Sequence, residues 1–316
     1  MESLEQQLIY KNNEVPSIFV FDEYETLQDK DYVVFDNMLD GMTGLNIKNI
    51  VIKQMRHESF KKATAYLIGK QKVNIVWQAS YSDILSILQE ADYQFDNSIM
   101  VIIKIEVNNV EMNDVFDNIC RFRDKYNNVA GVIVPVNGKN YDFFSNLMEL
   151  IYEQLHCSLI ISPQMDAKNP DYISWLQLDV LYCNTIEFNK KVNDSKAILM
   201  EYGILPARLL NEHPCNGYVC TKHTCHSNKN DLPRRLILLR DGTILPESDS
   251  INCKLSIGNI SEKSMVEIVK EYKDHESHAL FKKLAKDIYI KWIQTCPFRV
   301  IPWSMLFIEE ASELGE

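Results

Sequence analysis

The chain has 316 residues, a hydrophobic fraction of 46% and a formal net charge of −11. This length can bury a core without disulfide staples and suits one large domain with a smaller one. The acidic balance argues against a protein that holds nucleic acid by neutralising phosphates. Because the sequence shows neither a secretory signal nor an apolar run of about 18 residues, we expect a soluble cytoplasmic protein that does not span a membrane.

The first 44 residues differ from the rest of the chain in their residue pattern. Two short β-like runs, at residues 17–21 and 32–35, are broken by acidic stretches. Residues rich in β-branched and aromatic side chains favour strands. We therefore predict an amino-terminal β-rich segment over residues 1–44.

Strand-like and helix-like segments alternate over residues 45–210. The apolar, β-branched runs that indicate buried parallel strands are residues 47–53, 73–79, 99–107, 129–136, 158–162 and 180–187. Segments of helical periodicity lie at residues 58–68, 82–91, 113–126, 141–156, 171–178 and 190–202. This rhythm predicts an α/β fold, and the lack of a Gly-rich first turn favours a partial (β/α) barrel of about six parallel strand–helix units over a doubly wound sheet.

The functional site of such a barrel lies at the carboxyl ends of its strands. The polar residues predicted there, as candidates for ligand binding, are Lys53, Gln78, Lys104, Glu106, Asn137, Gln164 and Glu187. They contain no obvious pair of carboxylates and no base beside a nucleophile. The alternatives are therefore a binding surface, a solvated rim, or a barrel enzyme of unrelated chemistry whose acid–base set lies elsewhere.

The alternation of strand-like and helix-like segments ends after residue 210. The sequence of residues 211–316 predicts a small cysteine-containing α+β module. Asp241-Gly242 stands between two apolar runs, which is a strong hairpin signal. Two amphipathic helices are predicted after it, at residues 262–272 and 277–289, the first with Ser261 as its N-cap.

Cysteine and histidine residues crowd the start of this module. The cluster consists of Cys215, Cys220 and Cys225 with His213, His223 and His226, and Cys253 or Cys296 could supply a remote fourth thiolate. In a reducing compartment such a cluster suggests a metal before a disulfide. Its spacing matches neither a zinc ribbon nor a ferredoxin run, so an iron–sulfur cluster, a zinc ion and unligated thiols all remain open.

One stretch resembles a known module. The residues from Leu236 to Glu247 form a hairpin sequence that ends in Pro246-Glu247, and Gly258-Asn259-Ile260 follows before a helix. This order is similar to the SPASM module of radical SAM peptide-modifying enzymes, in which a Cys follows the Pro and ligates an auxiliary iron–sulfur cluster. The resemblance implies that Glu247 replaces that thiolate.

The strand–helix repeat in front of it resembles the radical SAM partial barrel. That family carries C-x3-C-x2-C in its first loop and Gly-Gly-Glu-Pro after its second strand, which bind a [4Fe-4S] cluster and S-adenosylmethionine. This chain has no cysteine before Cys120, and Gln54-Met55-Arg56-His57 stands where Gly-Gly-Glu-Pro would be. The chain is thus similar to degenerate, pseudo-radical-SAM proteins found beside peptide maturases in Bacteroidetes.

The resemblance implies a function without chemistry of its own. We expect a non-catalytic accessory or scaffold protein in the maturation of a ribosomally synthesised peptide, with the precursor peptide or the active radical SAM maturase as its partner and with no resident cofactor. The alternative is a metal-binding protein or enzyme that uses Cys215, Cys220, Cys225 and Cys253 to hold an iron–sulfur cluster or zinc.

Overall fold

The computed structural model describes residues 17–21, 26–53, 55–107, 112–165, 171–194, 197–200, 204–206, 235–246, 255–272, 275–293 and 296–312. These residues divide into two compact units. The hairpin unit comprises residues 17–75 and 204–312, and the strand–helix unit comprises residues 76–200.

Strands and helices alternate along most of the chain. The strands are β1 Ser17–Phe21, β2 Asn49–Lys53, β3 Asn74–Ser80, β4 Ile99–Lys104, β5 Val129–Val136, β6 Ser158–Pro163, β7 Ile198–Met200, β8 Ile204–Pro206, β9 Arg235–Leu238, β10 Thr243–Pro246, β11 Gly258–Asn259 and β12 Val300–Pro302. The helices are α1 Asp29–Leu45, α2 His57–Lys70, α3 Tyr81–Gln89, α4 Met112–Tyr126, α5 Phe144–Leu155, α6 Trp175–Lys191, α7 Met265–Glu271, α8 Glu276–Ile288 and α9 Trp303–Ser312. Within the described residues, no helix has both the length and the apolar composition needed to cross a membrane.

The strand–helix unit is built on a parallel sheet. Its strands lie in the order β3-β4-β5-β6-β7, and β4 to β7 pair in parallel. Ile103, Val132, Leu159 and Ile198 are partners across four neighbouring strands, and each is at most 1% exposed. This row forms the centre of the unit's core, because burial of branched apolar side chains on one sheet face is the main favourable term in packing helices against it.

The hairpin unit places its first strand in the middle of a sheet. The order is β11-β10-β9-β1-β2, with β1 parallel to both β2 and β9. β9 and β10 form an antiparallel hairpin, and β11 continues the antiparallel pairing. Helix α7 packs on α1, where Gly41 leaves room for the side chain of Met265. Segments far apart in sequence are therefore joined through β1.

Most strand predictions are confirmed. The runs at residues 47–53, 73–79, 99–107, 129–136 and 158–162 overlap β2 to β6 to within one residue at their carboxyl ends or contain them, and the run at residues 17–21 is β1. The turn at Asp241-Gly242 is also confirmed: it joins antiparallel β9 and β10, and Gly242 has a φ of 87°. The fold is α/β, with parallel strands alternating with helices, as the repeat predicts.

Two predicted strands are wrong. Residues 180–187 lie within α6, because Leu178, Leu181, Tyr182, Thr185 and Phe188 recur at helical spacing and are all buried. The β-branched residues of that run are therefore on a helix, and the neighbouring strand is instead β7, within a segment predicted to be helical.

The second wrong strand is residues 32–35, which lie inside α1. This helix buries Val34, Phe35, Met38 and Met42, again at helical spacing. A smaller error concerns α7, whose N-cap is Ser264 rather than Ser261: the Ser264 hydroxyl accepts a hydrogen bond from the Glu267 backbone N–H.

Candidate functional site

One face of the sheet in the strand–helix unit is less buried than the other. In β4, Val101 and Ile103 are fully buried, whereas Ile102 is half-buried and Lys104 is exposed. The same alternation holds in β3 and β6. We call this less buried side of β3, β4 and β6 the open face. Because parallel sheets usually have both faces covered, it is a candidate binding surface.

The open face has an apolar centre. Lys104 pairs with Ile133 of β5, and Ile133 pairs with Ile160 of β6. Ile133 is buried, while Ile160 and the following alternate residue, Ser162, are half-buried. Apolar side chains thus occupy the middle of the face, with polar groups towards the carboxyl ends of the strands, an arrangement typical of ligand-binding surfaces.

Some of the polar residues predicted at the carboxyl ends of strands lie there in the structure. The predicted residues found at or near carboxyl ends in this unit are Gln78 in β3, Lys104 at the end of β4, Glu106 two residues beyond it, Asn137 after β5 and Gln164 after β6. The carboxyl ends of parallel strands meet at one edge of a sheet, so Lys104, Glu106, Asn137 and Gln164, on or just after the parallel strands β4 to β6, share that edge.

The side chains of Gln78, Lys104, Glu106 and Gln164 form no hydrogen bond or ion pair with any other described residue. Lys104 and Glu106 are exposed, and the two glutamines are half-buried. The backbone of Gln164 is fixed, since its N–H donates to the Val136 carbonyl at 2.7 Å. These four side chains therefore keep donors and acceptors available for a ligand.

Asn137 serves a local structural purpose. Its side-chain oxygen accepts hydrogen bonds from the backbone N–H groups of Lys139, at 2.9 Å, and Asn140, at 3.3 Å. Asn140 reciprocates, because its side chain accepts from the Asn137 N–H at 2.9 Å and donates to the Pro135 carbonyl at 2.9 Å. The Asn137 oxygen thus stabilises the turn after β5. Its role in binding stays a prediction.

The remaining two predicted residues lie elsewhere. Lys53 is the last residue of β2 in the hairpin unit and is half-buried. Glu187 is an exposed residue of α6, so its assignment to a strand end is wrong. That error follows directly from taking residues 180–187 as a strand.

A buried ion pair, which sequence patterns did not indicate, fixes the start of α1. Asp31 is fully buried and accepts from Arg240 Nε at 3.1 Å and Nη2 at 2.9 Å. It also accepts from the Gln28 N–H at 2.7 Å, and Arg240 donates to the Thr26 carbonyl at 3.0 Å. Two parallel bonds of this kind combine charge with fixed geometry. The hairpin turn is thereby tied to the segment that precedes α1.

The connection between β1 and α1 follows the first strand, where the resemblance described above implies that the cluster-binding cysteines of the family would lie. In this chain its residues, 22–28, are Asp-Glu-Tyr-Glu-Thr-Leu-Gln, and they include neither cysteine nor histidine. Iron–sulfur clusters are held by thiolates, and occasionally by imidazoles. The donor set of this connection therefore does not fit a [4Fe-4S] cluster.

The predicted metal ligands Cys215, Cys220, Cys225 and Cys253 lie outside the described residues. Among the described residues, the cysteines are Cys120, Cys157, Cys183 and Cys296, which are half-buried and not joined in disulfides. The metal site thus stays a prediction.

The fold resembles that of solved structures. SuiB of Streptococcus suis bound to S-adenosylmethionine has a TM-score of 0.55 at 9% identity, over 85% of this chain and 68% of SuiB. The chain has a radical SAM-like fold. SuiB by itself gives 0.53 at 10% identity, over 82% of this chain and 67% of SuiB. SuiB bound to precursor peptide SuiA has a TM-score of 0.51 at 9% identity, over 80% of this chain and 64% of SuiB.

At the level of sequence, no protein-family model matches the chain. No curated protein matches it either. The likeness to SuiB is therefore one of backbone architecture.

Proposed function

We propose that this chain is a non-catalytic, degenerate radical-SAM-like accessory protein in the maturation of a ribosomally synthesised peptide. It acts in the cytoplasm and binds the precursor peptide on its open face. The observation that carries the proposal is the likeness of fold to SuiB, one structure of which contains precursor peptide SuiA. The Bacteroidetes setting suggested by the sequence belongs to the same proposal.

The non-catalytic part of the proposal rests on donor chemistry. A radical SAM cluster needs three thiolates close together, and residues 22–28 supply none. The sequence Gln54-Met55-Arg56-His57 after β2 likewise lacks the Gly-Gly-Glu-Pro that helps the family hold S-adenosylmethionine. Fold and chemistry are separable, so a scaffold can keep a binding surface after its reactive loop is lost.

The binding part rests on the open face. Its apolar centre, with Ile160 half-buried, can take apolar side chains of an extended peptide. Lys104 and Glu106 offer charges of opposite sign at the edge, and neither is engaged by another described residue. A peptide can therefore satisfy both groups without displacing an internal ion pair.

Fluorescence anisotropy tests the binding directly. Synthetic, labelled precursor peptides encoded beside the gene are titrated with the full-length protein, and we expect saturable binding. Lys104→Ala should weaken it roughly tenfold, the effect of losing one contact of about 1.4 kcal/mol. Lys190→Ala is the matched control: Lys190 is an exposed lysine of α6 in the same unit.

Two results would contradict the proposal. One is a lack of saturable binding by every such peptide, and the other is equal weakening by both substitutions. If the peptides fail but the neighbouring maturase binds in the same assay, the maturase replaces the peptide as the partner and the open-face assignment is lost.

A second candidate function is metal binding in the carboxyl-terminal module. Three cysteines and three histidines between residues 213 and 226 favour it, because thiolates and imidazoles are the usual ligands of zinc and iron. Metal analysis of protein purified without oxygen tests it. About one equivalent of zinc or iron, lost in Cys220→Ser, would support it, and less than about a tenth would exclude it.

A further inference from the structure

Two thiols lie at one junction of the strand–helix unit. Cys120 is a half-buried residue of α4, and its Sγ lies 3.6 Å from the carbonyl oxygen of Gln154 in α5. Cys157, also half-buried, follows Gln154 by only three residues and immediately precedes β6. Consecutive Cα atoms are about 3.8 Å apart, so the chain keeps Cys157 close to the contact that Cys120 makes.

A second contact orients the same junction. Arg123, three residues after Cys120 and so on the same face of α4, places Nη1 2.5 Å from the Leu155 carbonyl oxygen. His156 then has a φ of 48°, a left-handed turn that ends α5 and leads to Cys157. Cys120 and Arg123 thus both contact the last residues of α5, two to three residues before Cys157.

The surroundings of Cys157 disfavour ionisation of its thiol. Burial raises the pKa of Cys157 to about 11, while Arg123 lowers it and Cys120 raises it further. The effect of Cys120 on Cys157 agrees with the contact that Cys120 makes three residues before Cys157. Because the thiolate is the nucleophile and burial disfavours ionisation of Cys157, Cys157 should be slow to react directly with a reagent.

We propose that Cys120 and Cys157 form a dithiol site that is modified by low-molecular-weight disulfides such as oxidised glutathione. The Cys120 thiolate attacks one sulfur of the reagent, forms a mixed disulfide and expels one glutathione thiolate. Cys157 then loses its proton and attacks the Cys120 sulfur, which expels the second glutathione. The protein loses two protons and two electrons, and the reagent gains both and is reduced to two thiols.

The modification ties α4 covalently to the chain segment that leads into β6. A disulfide requires the two Cα atoms to come within about 7 Å, and the left-handed turn at His156 is the backbone segment between α5 and Cys157. Reduced thiols are the resting state in a reducing compartment, so the link would form when oxidised glutathione accumulates. The site is independent of the open face and of the proposed function.

Peptide mapping tests this site in the full-length protein. The protein is incubated with oxidised glutathione, free thiols are alkylated, and a digest is examined by mass spectrometry. We expect a cross-linked peptide pair that joins Cys120 to Cys157 and is abolished by reductant. Cys157→Ser should instead retain glutathione on Cys120, and Cys183→Ser, which removes a half-buried thiol of α6, should leave the link intact.

The outcomes are distinct. Glutathione adducts without the cross-link, a link between any other pair of cysteines, or no reaction at Cys120 would each overturn the proposal. The mapping of the unaltered protein decides the matter by itself if a substituted variant fails to fold.

Discussion

The ion pair between Arg240 and Asp31 provides the sharpest test of how the hairpin unit is held together. Asp31 is fully buried, and the Arg240 side chain is 26% exposed. Replacing Arg240 by Met keeps much of the apolar stem but leaves the buried carboxylate of Asp31 with the Gln28 N–H as its remaining hydrogen-bond donor among the described residues. Removing one partner of a buried pair costs about 3–5 kcal/mol. Because water reaches part of the guanidinium, we expect the lower value, about 3 kcal/mol.

Native-state hydrogen exchange measures this cost where it occurs. A loss of about 3 kcal/mol in local stability corresponds to roughly 100-fold faster exchange of the α1 amides. Asp31→Asn and the double variant complete a cycle, in which we expect a coupling of about 2 kcal/mol. Lys191 and Glu149 form the control pair at 2.7 Å; both are more than half exposed, so their coupling should stay below about 1 kcal/mol.

The result that would refute this reasoning is clear. If Arg240→Met slows or leaves unchanged the exchange of α1, or if its coupling to Asp31 equals that of the exposed control pair, the buried ion pair does not fix the start of α1.

Two further predictions concern single residues. Because the folded-state pKa of Cys157, about 11, lies above the usual value of 9.0, the stability from its buried thiol is complete below pH 9 and is lost as pH rises to 11. Between pH 9 and pH 11 the free energy of unfolding of the unaltered protein should fall by about 2 kcal/mol more than that of Cys157→Ser. Parallel plots of unfolding free energy against pH for the two proteins would contradict this. Gly242→Ala should destabilise by about 1–2 kcal/mol, since φ is 87° and a Cβ would lie 2.8 Å from Asn259 Oδ1. Gly69→Ala, where a Cβ meets nothing within 4 Å in α2, should stabilise by a few tenths to about 1 kcal/mol, and urea unfolding that shows equal effects at both glycines would refute the turn argument.

Local patterns were sufficient for much of the fold. β2 to β6 follow from short apolar runs bounded by polar residues, and the β9–β10 hairpin follows from Asp241-Gly242, because only neighbouring residues decide those features. The positions of Lys104, Glu106 and Gln164 at strand ends follow from the same runs.

The wrong strand at residues 180–187 shows where composition misleads. Thr185 and Ile186 are β-branched, yet the segment is a helix that buries residues at helical spacing. A local signal was available: the Ser174 side chain accepts from the Gln177 N–H in a capping box, which marks a helix start just before this run.

Long-range pairings were beyond any local pattern. Asp31 and Arg240 are separated by 209 residues, and β1 pairs with β9 across a similar distance. An aspartate in the first turn of a helix normally interacts with solvent and the helix dipole. Its burial against a hairpin arginine depends on the tertiary arrangement of the hairpin unit, which short sequence windows do not encode.

Reductive cleavage of S-adenosylmethionine tests the central claim most directly. The protein is reconstituted with iron and sulfide without oxygen, mixed with S-adenosylmethionine and dithionite, and assayed for 5′-deoxyadenosine by mass spectrometry against an added standard. Because residues 22–28 provide no thiolate to hold the cluster, we expect no more product than in a sample without protein. Formation of 5′-deoxyadenosine in proportion to protein concentration would contradict a non-catalytic function.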